Sequence, residues 1–172
     1  MEHPLPHIIR PEQPADEAAI GELTQQAFAP MPYASHTEQF IIAALRRSGA
    51  LTSSLVALEA GKLLGHVAVS PVTISSGATS WYGLGPLAVA PAWQRRGIGT
   101  HLVQAALTTL RQQRAQGCVL LGDPAYYARF GFKSEATLVL PGVSPAYFQA
   151  LSFTGEVPTG TVQFHEAFAV TA

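Results

Sequence analysis

Gln94-Arg95-Arg96-Gly97-Ile98-Gly99-Thr100 is the stretch of this chain whose residue types and spacing could do chemistry. Paired arginines precede two glycines, behind an apolar run from Trp81 to Val89 and ahead of a helical pattern that starts near Thr100. A strand, a basic glycine turn and a helix N-terminus together make a cradle for an anion. The unpaired N–H groups of the first helical turn and the positive end of the helix dipole both favour phosphate. Glycine lets the backbone approach the anion with no Cβ in the way. Between Glu59 and Asp123 there is no carboxylate, and seven of the 11 acids lie at or before Glu59. The same gap holds Lys62, Arg95, Arg96, Arg111 and Arg114. With a formal net charge of −1 for the whole chain, this excess is local and points to a phosphate-bearing small molecule.

Other readings of the turn fit less well. A P-loop needs a lysine and a hydroxyl residue directly after its last glycine, whereas Gly99 is followed by Thr100-His101. A dinucleotide-binding turn needs a small residue where Leu102 stands. Glycine spacing alone would also suit a plain strand-to-helix turn, but the arginine pair and the missing acids favour the cradle. His3 and His7 are four apart, but Pro4 and Pro6 forbid the helix that would pair them, and no Cys/His spacing suggests a metal. Cys118, the only cysteine, sits in an apolar run and reads as inert packing.

The elements that must position the turn alternate as in an α/β domain. A short lead-in strand is expected around Ile8-Ile9 and a helix from about Asp16, with Ile20, Leu23 and Ala27 on its apolar face. Ser35-His36-Thr37-Glu38 has capping-box spacing before a second helix carrying Phe40, Ile41, Ala44 and Leu45, which Gly49 ends. Strands over 55–59 and 63–74, joined at Ala60-Gly61, form a hairpin, and a third strand leads into the glycine turn. Leu102, Val103, Ala106, Leu107 and Leu110 make a helical stripe closed by Gly117, and 118–121 reads as a buried strand. Asp123 is placed to cap a short helix with Tyr126, Tyr127 and Phe130, and weak strands are expected near 136–140 and 161–164.

A chain of 172 residues, 48% hydrophobic and 12% charged, reads as one globular domain over 1–172. Near-neutral charge gives no reason for a nucleic-acid or polybasic membrane contact. The absence of a signal-like start and a lone cysteine point to the cytoplasm.

Gln94-Arg95-Arg96-Gly97-Ile98-Gly99 resembles the [Gln/Arg]-x-x-Gly-x-[Gly/Ala] signature of the GCN5-related N-acetyltransferases, the GNAT superfamily. Leu84-Gly85-Pro86-Leu87-Ala88-Val89-Ala90-Pro91 is similar to that family's fourth strand and its exit, and Tyr127-Ala128-Arg129-Phe130-Gly131-Phe132 to its Tyr-x-x-x-Gly-Phe element. The three occur in the family's order, and residues 8–132 follow its element order. Residues 121–127 and Pro141-Gly142-Val143 resemble the YhbS-like branch of bacterial members. The resemblance implies a GNAT fold, a mixed central sheet flanked by helices, and acetyl-CoA as cosubstrate. It implies that Leu87, Ala88 and Val89 offer backbone groups to the pantetheine arm and thioester, with the Val89 N–H on the developing oxyanion. Gln94, Arg95, Arg96, Gly97, Ile98, Gly99 and Thr100 would hold the pyrophosphate by backbone N–H groups, and the strand around Val119 would splay from the one ending at Val89. Tyr127 takes the place of the general acid for the departing thiolate, with Tyr126 as its rival; a tyrosine stays protonated at neutral pH.

The chain departs from the family in lacking a glutamate on or near the fourth strand, where many members carry a general base. A water chain, His66, Asp123 or a C-terminal residue must take the amine proton. The implied activity is acetyl transfer to a primary amine of an unidentified acceptor, with the early helices and residues 133–172 on the acceptor side. A longer acyl-CoA donor and a non-catalytic acyl-CoA sensor are the alternatives. Homodimers are common among similar proteins.

Overall fold

The computed structural model describes residues 7–172. Its centre is a sheet in the order β1-β2-β3-β4-β5-β7, with β1 at Ile8–Pro11, β2 at Ser53–Glu59, β3 at Lys62–Ile74, β4 at Trp81–Val89, β5 at Gly117–Leu121 and β7 at Phe148–Ser152. All neighbours are antiparallel except β4 and β5, which run parallel. The 13-residue β3 is long enough to serve two partners, and its far end pairs β8, Gly160–Phe164. β6, Leu138–Val139, lies parallel to β8. The β2–β3 hairpin turns at Ala60-Gly61, both with positive φ (50° and 78°), the handedness that suits the twist of two-residue hairpins.

Four helices flank the sheet: α1 at Glu17–Phe28, α2 at Glu38–Arg47, α3 at Ile98–Gln112 and α4 at Pro124–Tyr127. The apolar stripe of α3 (Ile98, Leu102, Val103, Ala106, Leu107, Leu110) packs with Val67, Val69, Leu84 and Leu120 as the main core. A side chain at Gly65 would come within 2.9 Å of Ile98, so the glycine lets α3 lie close on β3. Ile20 of α1 and Ile42 of α2 cover Val56 and Ala68 in a separate cluster.

Three expectations are corrected. α3 begins at Ile98 rather than near Thr100, because Gly97 at φ +85° supplies the left-handed residue that starts it. The capping box does not form: Thr37 is the residue before α2, and the Glu38 carboxylate takes the Ser35 hydroxyl (3.2 Å) and the His36 N–H (3.3 Å). β7 was not expected at all. It completes the sheet along β5 from Gly117–Ser152 to Leu121–Phe148. His3 lies outside the described residues, and His7 pairs instead with His101, Nε2 to Nδ1, at 2.8 Å. No helix of the described residues is long and apolar enough to cross a membrane.

Candidate active site

The parallel pair β4–β5 opens into a fork. Trp81, Tyr82 and Gly83 pair with Gly117, Cys118 and Val119, and beyond Gly83 the two strands separate. On its other side β4 pairs with β3, and beyond a register shift between Val67 and Val69 it sets Val67 opposite Leu87, His66 opposite Ala88 and Gly65 opposite Val89. Because the Ala90 N–H donates to the Leu64 carbonyl (2.8 Å), antiparallel alternation assigns Ala88 to the ladder and turns the amides of Leu87 and Val89 away from β3, into the fork. The Val89 carbonyl on that side accepts from Gln94 Nε2 at 3.2 Å, which anchors the glycine turn to the strand end. Ala88 stands apart from its two neighbours. Its backbone serves β3, and its side chain is buried against Leu23 and Ala27.

The fork leads to the first turn of α3. The first bond inside this helix runs from the His101 N–H to the Gly97 carbonyl (3.0 Å), leaving the amides of Ile98, Gly99 and Thr100 without a helical acceptor. Arg95 at φ +64° and Gly97 at φ +85° give the loop the curvature that aims these groups outward. Arg96 stacks on Trp93, its guanidinium carbon 4.8 Å from the ring centre. Ile98 contributes only its amide, since its side chain is in the core. A cleft of about 490 Å³ joins the turn to the fork, lined by Leu87, Val89, Gly99, Thr100, Tyr126 and, from the α1–α2 loop, Met31. A methyl at Gly99 would stand 3.3 Å from Tyr126 Oη and 3.7 Å from Val89, so this glycine keeps the cleft open rather than permitting an unusual φ.

The two tyrosines divide. Tyr126 forms a wall of the cleft, its hydroxyl 3.1 Å from Thr100 Oγ1. Arg129, also lining the cleft, lies 4.4 Å above its ring and donates Nε–H to the Tyr126 carbonyl at 2.9 Å. Tyr127 packs against the end of β5, where a side chain at Gly122 would collide with its ring. Phe132 meets it edge-on, with centroids 6.1 Å apart. Its hydroxyl makes no hydrogen bond among the described residues, and burial, with Tyr126 and Cys118 adding, pushes its pKa above the ordinary tyrosine value. The phenol stays protonated at neutral pH.

Of the candidate bases, His66 does not face the cleft. It is 0% exposed. Its Nε2 lies 2.7 Å from Ser54 Oγ, and Ser54 donates its proton to Glu12, which in turn holds Arg46 at 2.8 and 3.0 Å. A hydroxyl that gives its proton to a carboxylate must receive one from the ring, so His66 carries hydrogen on Nε2 and a bare Nδ1. Burial lowers its pKa to about 4. Asp123 caps α4, its Oδ1 accepting the Ala125 N–H at 2.9 Å. Ala27, Met31 and Arg129 also line the cleft, a role the sequence did not announce. Only Arg129 carried a cue, its place inside the Tyr-x-x-x-Gly-Phe element.

A splayed parallel pair beside a helix whose open amides face the gap is the class of site this chain presents, and comparison gives the family. Residues 18–132 match the model of the Acetyltransferase (GNAT) family. The chain is 36% identical over 169 residues to the Uncharacterized N-acetyltransferase YhbS of Escherichia coli K12, covering 94% of this chain and 98% of that one. Its fold superposes on a Brucella melitensis GNAT family acetyltransferase in complex with acetyl-CoA (TM-score 0.85, 48% identity, 94% and 97% of the two chains). It also superposes on the E. coli YhbS in complex with CoA (TM-score 0.86, 33% identity, 100% and 97%). The chain belongs to the GNAT family of acetyltransferases.

Proposed function

We propose that the protein moves the acetyl group of acetyl-CoA directly to a primary amine. The observation that carries this reading is the fork. Two strand amides, Leu87 and Val89, are turned into a gap that runs straight to the unpaired amides of Ile98, Gly99 and Thr100. The structures of similar proteins with acetyl-CoA and with CoA support it. The residues fit such a molecule: the helix amides suit a pyrophosphate, and the cleft that Gly99 holds open, lined by Leu87 and Val89, suits a largely apolar chain of the pantetheine kind.

When bound, acetyl-CoA supplies an acyl group activated as a thioester. The Val89 N–H, fixed in the strand, donates to the carbonyl oxygen as negative charge develops there, at no reorganisation cost. Tyr127 gives its proton to the sulfur as the carbon–sulfur bond breaks. Its ring lies against Gly122, just past β5, and its hydroxyl has no other partner among the described residues, which supports that role, while Tyr126 meets Thr100 at the helix amides. The amine proton goes to water or to Asp123, since His66 is enclosed. Holding the reactants together supplies much of the remaining acceleration.

Calorimetry with acetyl-CoA and CoA, then CoA release with a panel of amines, tests the reading. At ~100 times its Kd either ligand should add about 2.7 kcal/mol of stability. No binding of either at millimolar concentration overturns it. Binding without release for any amine would favour a sensor, and faster release from a longer acyl-CoA would change the donor.

A further inference from the structure

A second cavity, about 730 Å³, adjoins the end of β5 and is lined by Tyr33, Leu121, Gly122, Asp123, Val143 and Tyr147. Two chain segments that line the first cleft also line this cavity. The α1–α2 loop contributes Met31 to one and Tyr33 to the other, and the β5–α4 segment contributes Tyr126 to one and Asp123 to the other. Leu121 is opposite Phe148 in the β5–β7 register, and Phe148 packs with Val119 away from α3, so the cavity lies on the face of the fork opposite that helix.

Its chemistry is unusual for exposed surface. Six large hydrophobic side chains stand exposed among the described residues, and three of them line this cavity: Tyr33 (85%), Tyr147 (55%) and Leu121 (46%). Clustered exposed apolar groups around a concavity mark a binding surface. Among the lining residues Asp123 is the only ionised group. One of its oxygens caps α4 and the other makes no hydrogen bond among the described residues.

Resting on the acetyltransfer reading, we infer that this cavity takes the acceptor, a monovalent primary amine bearing an aromatic or bulky branched aliphatic group. The apolar group lies between Tyr33, Tyr147, Leu121 and Val143, and the incoming ammonium is drawn by the free oxygen of Asp123 and the two tyrosine faces. A polyamine would need several carboxylates, and an acidic acceptor a cation; the lining has neither. The volume suits a two-ring substituent better than a short chain.

The test compares tryptamine, 2-phenylethylamine, ethanolamine, spermidine and glutamate as acceptors, with acetyl-CoA affinity measured in parallel. Tryptamine should show a kcat/KM at least tenfold above ethanolamine and spermidine, the scale of burying part of one ring. Tyr33→Ala with Tyr147→Ala should cut it by about tenfold and leave the acetyl-CoA Kd within twofold. Asp123→Asn keeps an oxygen for the Ala125 N–H, so Tm should hold while the KM for tryptamine rises severalfold. Preference for spermidine, glutamate or ethanolamine, or unchanged selectivity in the variants, overturns the assignment while acetyl-CoA binding stands. A change in sedimentation of the double variant with unchanged selectivity would make the surface a self-association face and also overturn it. Failure of acetyl-CoA itself to bind removes the underlying reading, and this assignment with it.

Discussion

The molecule gathers polar groups in two places, around His66 and around the first turn of α3, and builds them in opposite ways. In the first, side chains from four elements close on one another: Glu12 after β1, Arg46 of α2, Ser54 of β2 and His66 of β3. Apart from His66 Nδ1, the ring and carboxylate there are answered by neighbouring side chains, and His66 itself is enclosed although Glu12, Arg46 and Ser54 border a surface cavity of about 440 Å³. In the second, the groups are backbone amides left unanswered at a helix start, open to a cleft. The side chains nearby serve the scaffold, with Gln94 on Val89 and Arg96 on Trp93. A dense set of polar side chains thus holds the sheet to its helices, whereas the capacity to bind lies where the backbone has been left unsatisfied. Variants that act on stability alone and variants that act on binding alone should separate these regions.

The largest effect is expected from acid. The His66 pKa is about 4 in the folded chain against an ordinary 6.5, so the unfolded chain binds the proton more readily. Its contribution is complete above pH 6.5 and is lost as pH falls toward 4, a change of about 3 kcal/mol. Glu12 follows lower down. Burial works to raise its pKa, but the hydrogen bonds from Arg46 and Ser54 outweigh it and hold the carboxyl below the usual range. Urea unfolding should show stability falling between pH 6.5 and 4, and His66→Gln should flatten that segment. An unchanged slope in the variant would mean that the cluster is not closed to protons.

Tyr127→Phe comes next and probes the open region. Loss of one hydroxyl should lower kcat by ~100-fold or more with the acetyl-CoA Kd nearly unchanged. Tyr126→Phe should be much milder, since its hydroxyl meets Thr100 in the first turn of α3. A large loss in Tyr126→Phe beside a normal Tyr127→Phe would exchange the two roles.

These contrasts also explain what could be read from the residues in advance. The glycine turn, its helix, the Ala60-Gly61 hairpin and the Asp123 cap are local, set by chemistry within a few residues, and each was legible. The fork was legible only through resemblance, because where β4 leaves β5 depends on pairing between distant segments. β7 escaped because Phe148-Gln149-Ala150-Leu151-Ser152 mixes polar and apolar residues without clear alternation; Gln149 is buried, its Nε2 donating to the Gly122 carbonyl at 3.0 Å. The His66 cluster was hidden for the same reason. Glu12 and Ser54 are 42 residues apart, and nothing near either announces the other. That the Ala88 amide turns to β3 while those of Leu87 and Val89 turn to the fork was not legible either, because a run of residues does not disclose which amides alternate toward which strand.

Breaking the closed region should leave the open one working. Glu12→Ala leaves Arg46 only the longer contact with Glu17, at 3.8 Å, and removes the acceptor of Ser54. In this partly buried setting it should cost about 2 kcal/mol in urea unfolding. At a temperature where the variant is folded, kcat and acetyl-CoA affinity should stay within twofold. A tenfold fall in either would couple the two regions and undo the separation.

The smallest effect is the one with opposite signs in the two measurements. Gly97 and Gly99 share a motif but do different work: Gly97 needs its left-handed φ, whereas Gly99 is helical and matters for the space above it. Alanine at Gly99 should therefore leave the fold as stable or raise Tm, since Ala exceeds Gly in helix propensity by about 0.8–1 kcal/mol. The added methyl, 3.3 Å from Tyr126 Oη and 3.7 Å from Val89, narrows the cleft where the helix amides meet it. Acetyl-CoA affinity should fall by roughly tenfold, about 1.4 kcal/mol, read by calorimetry. Gly97→Ala should do the reverse in the first measurement and lower Tm, because a Cβ is strained at φ +85°. If Gly99→Ala binds acetyl-CoA as well as the parent, the helix amides are not where the phosphates lie, and the open region has been assigned to the wrong end of the fork.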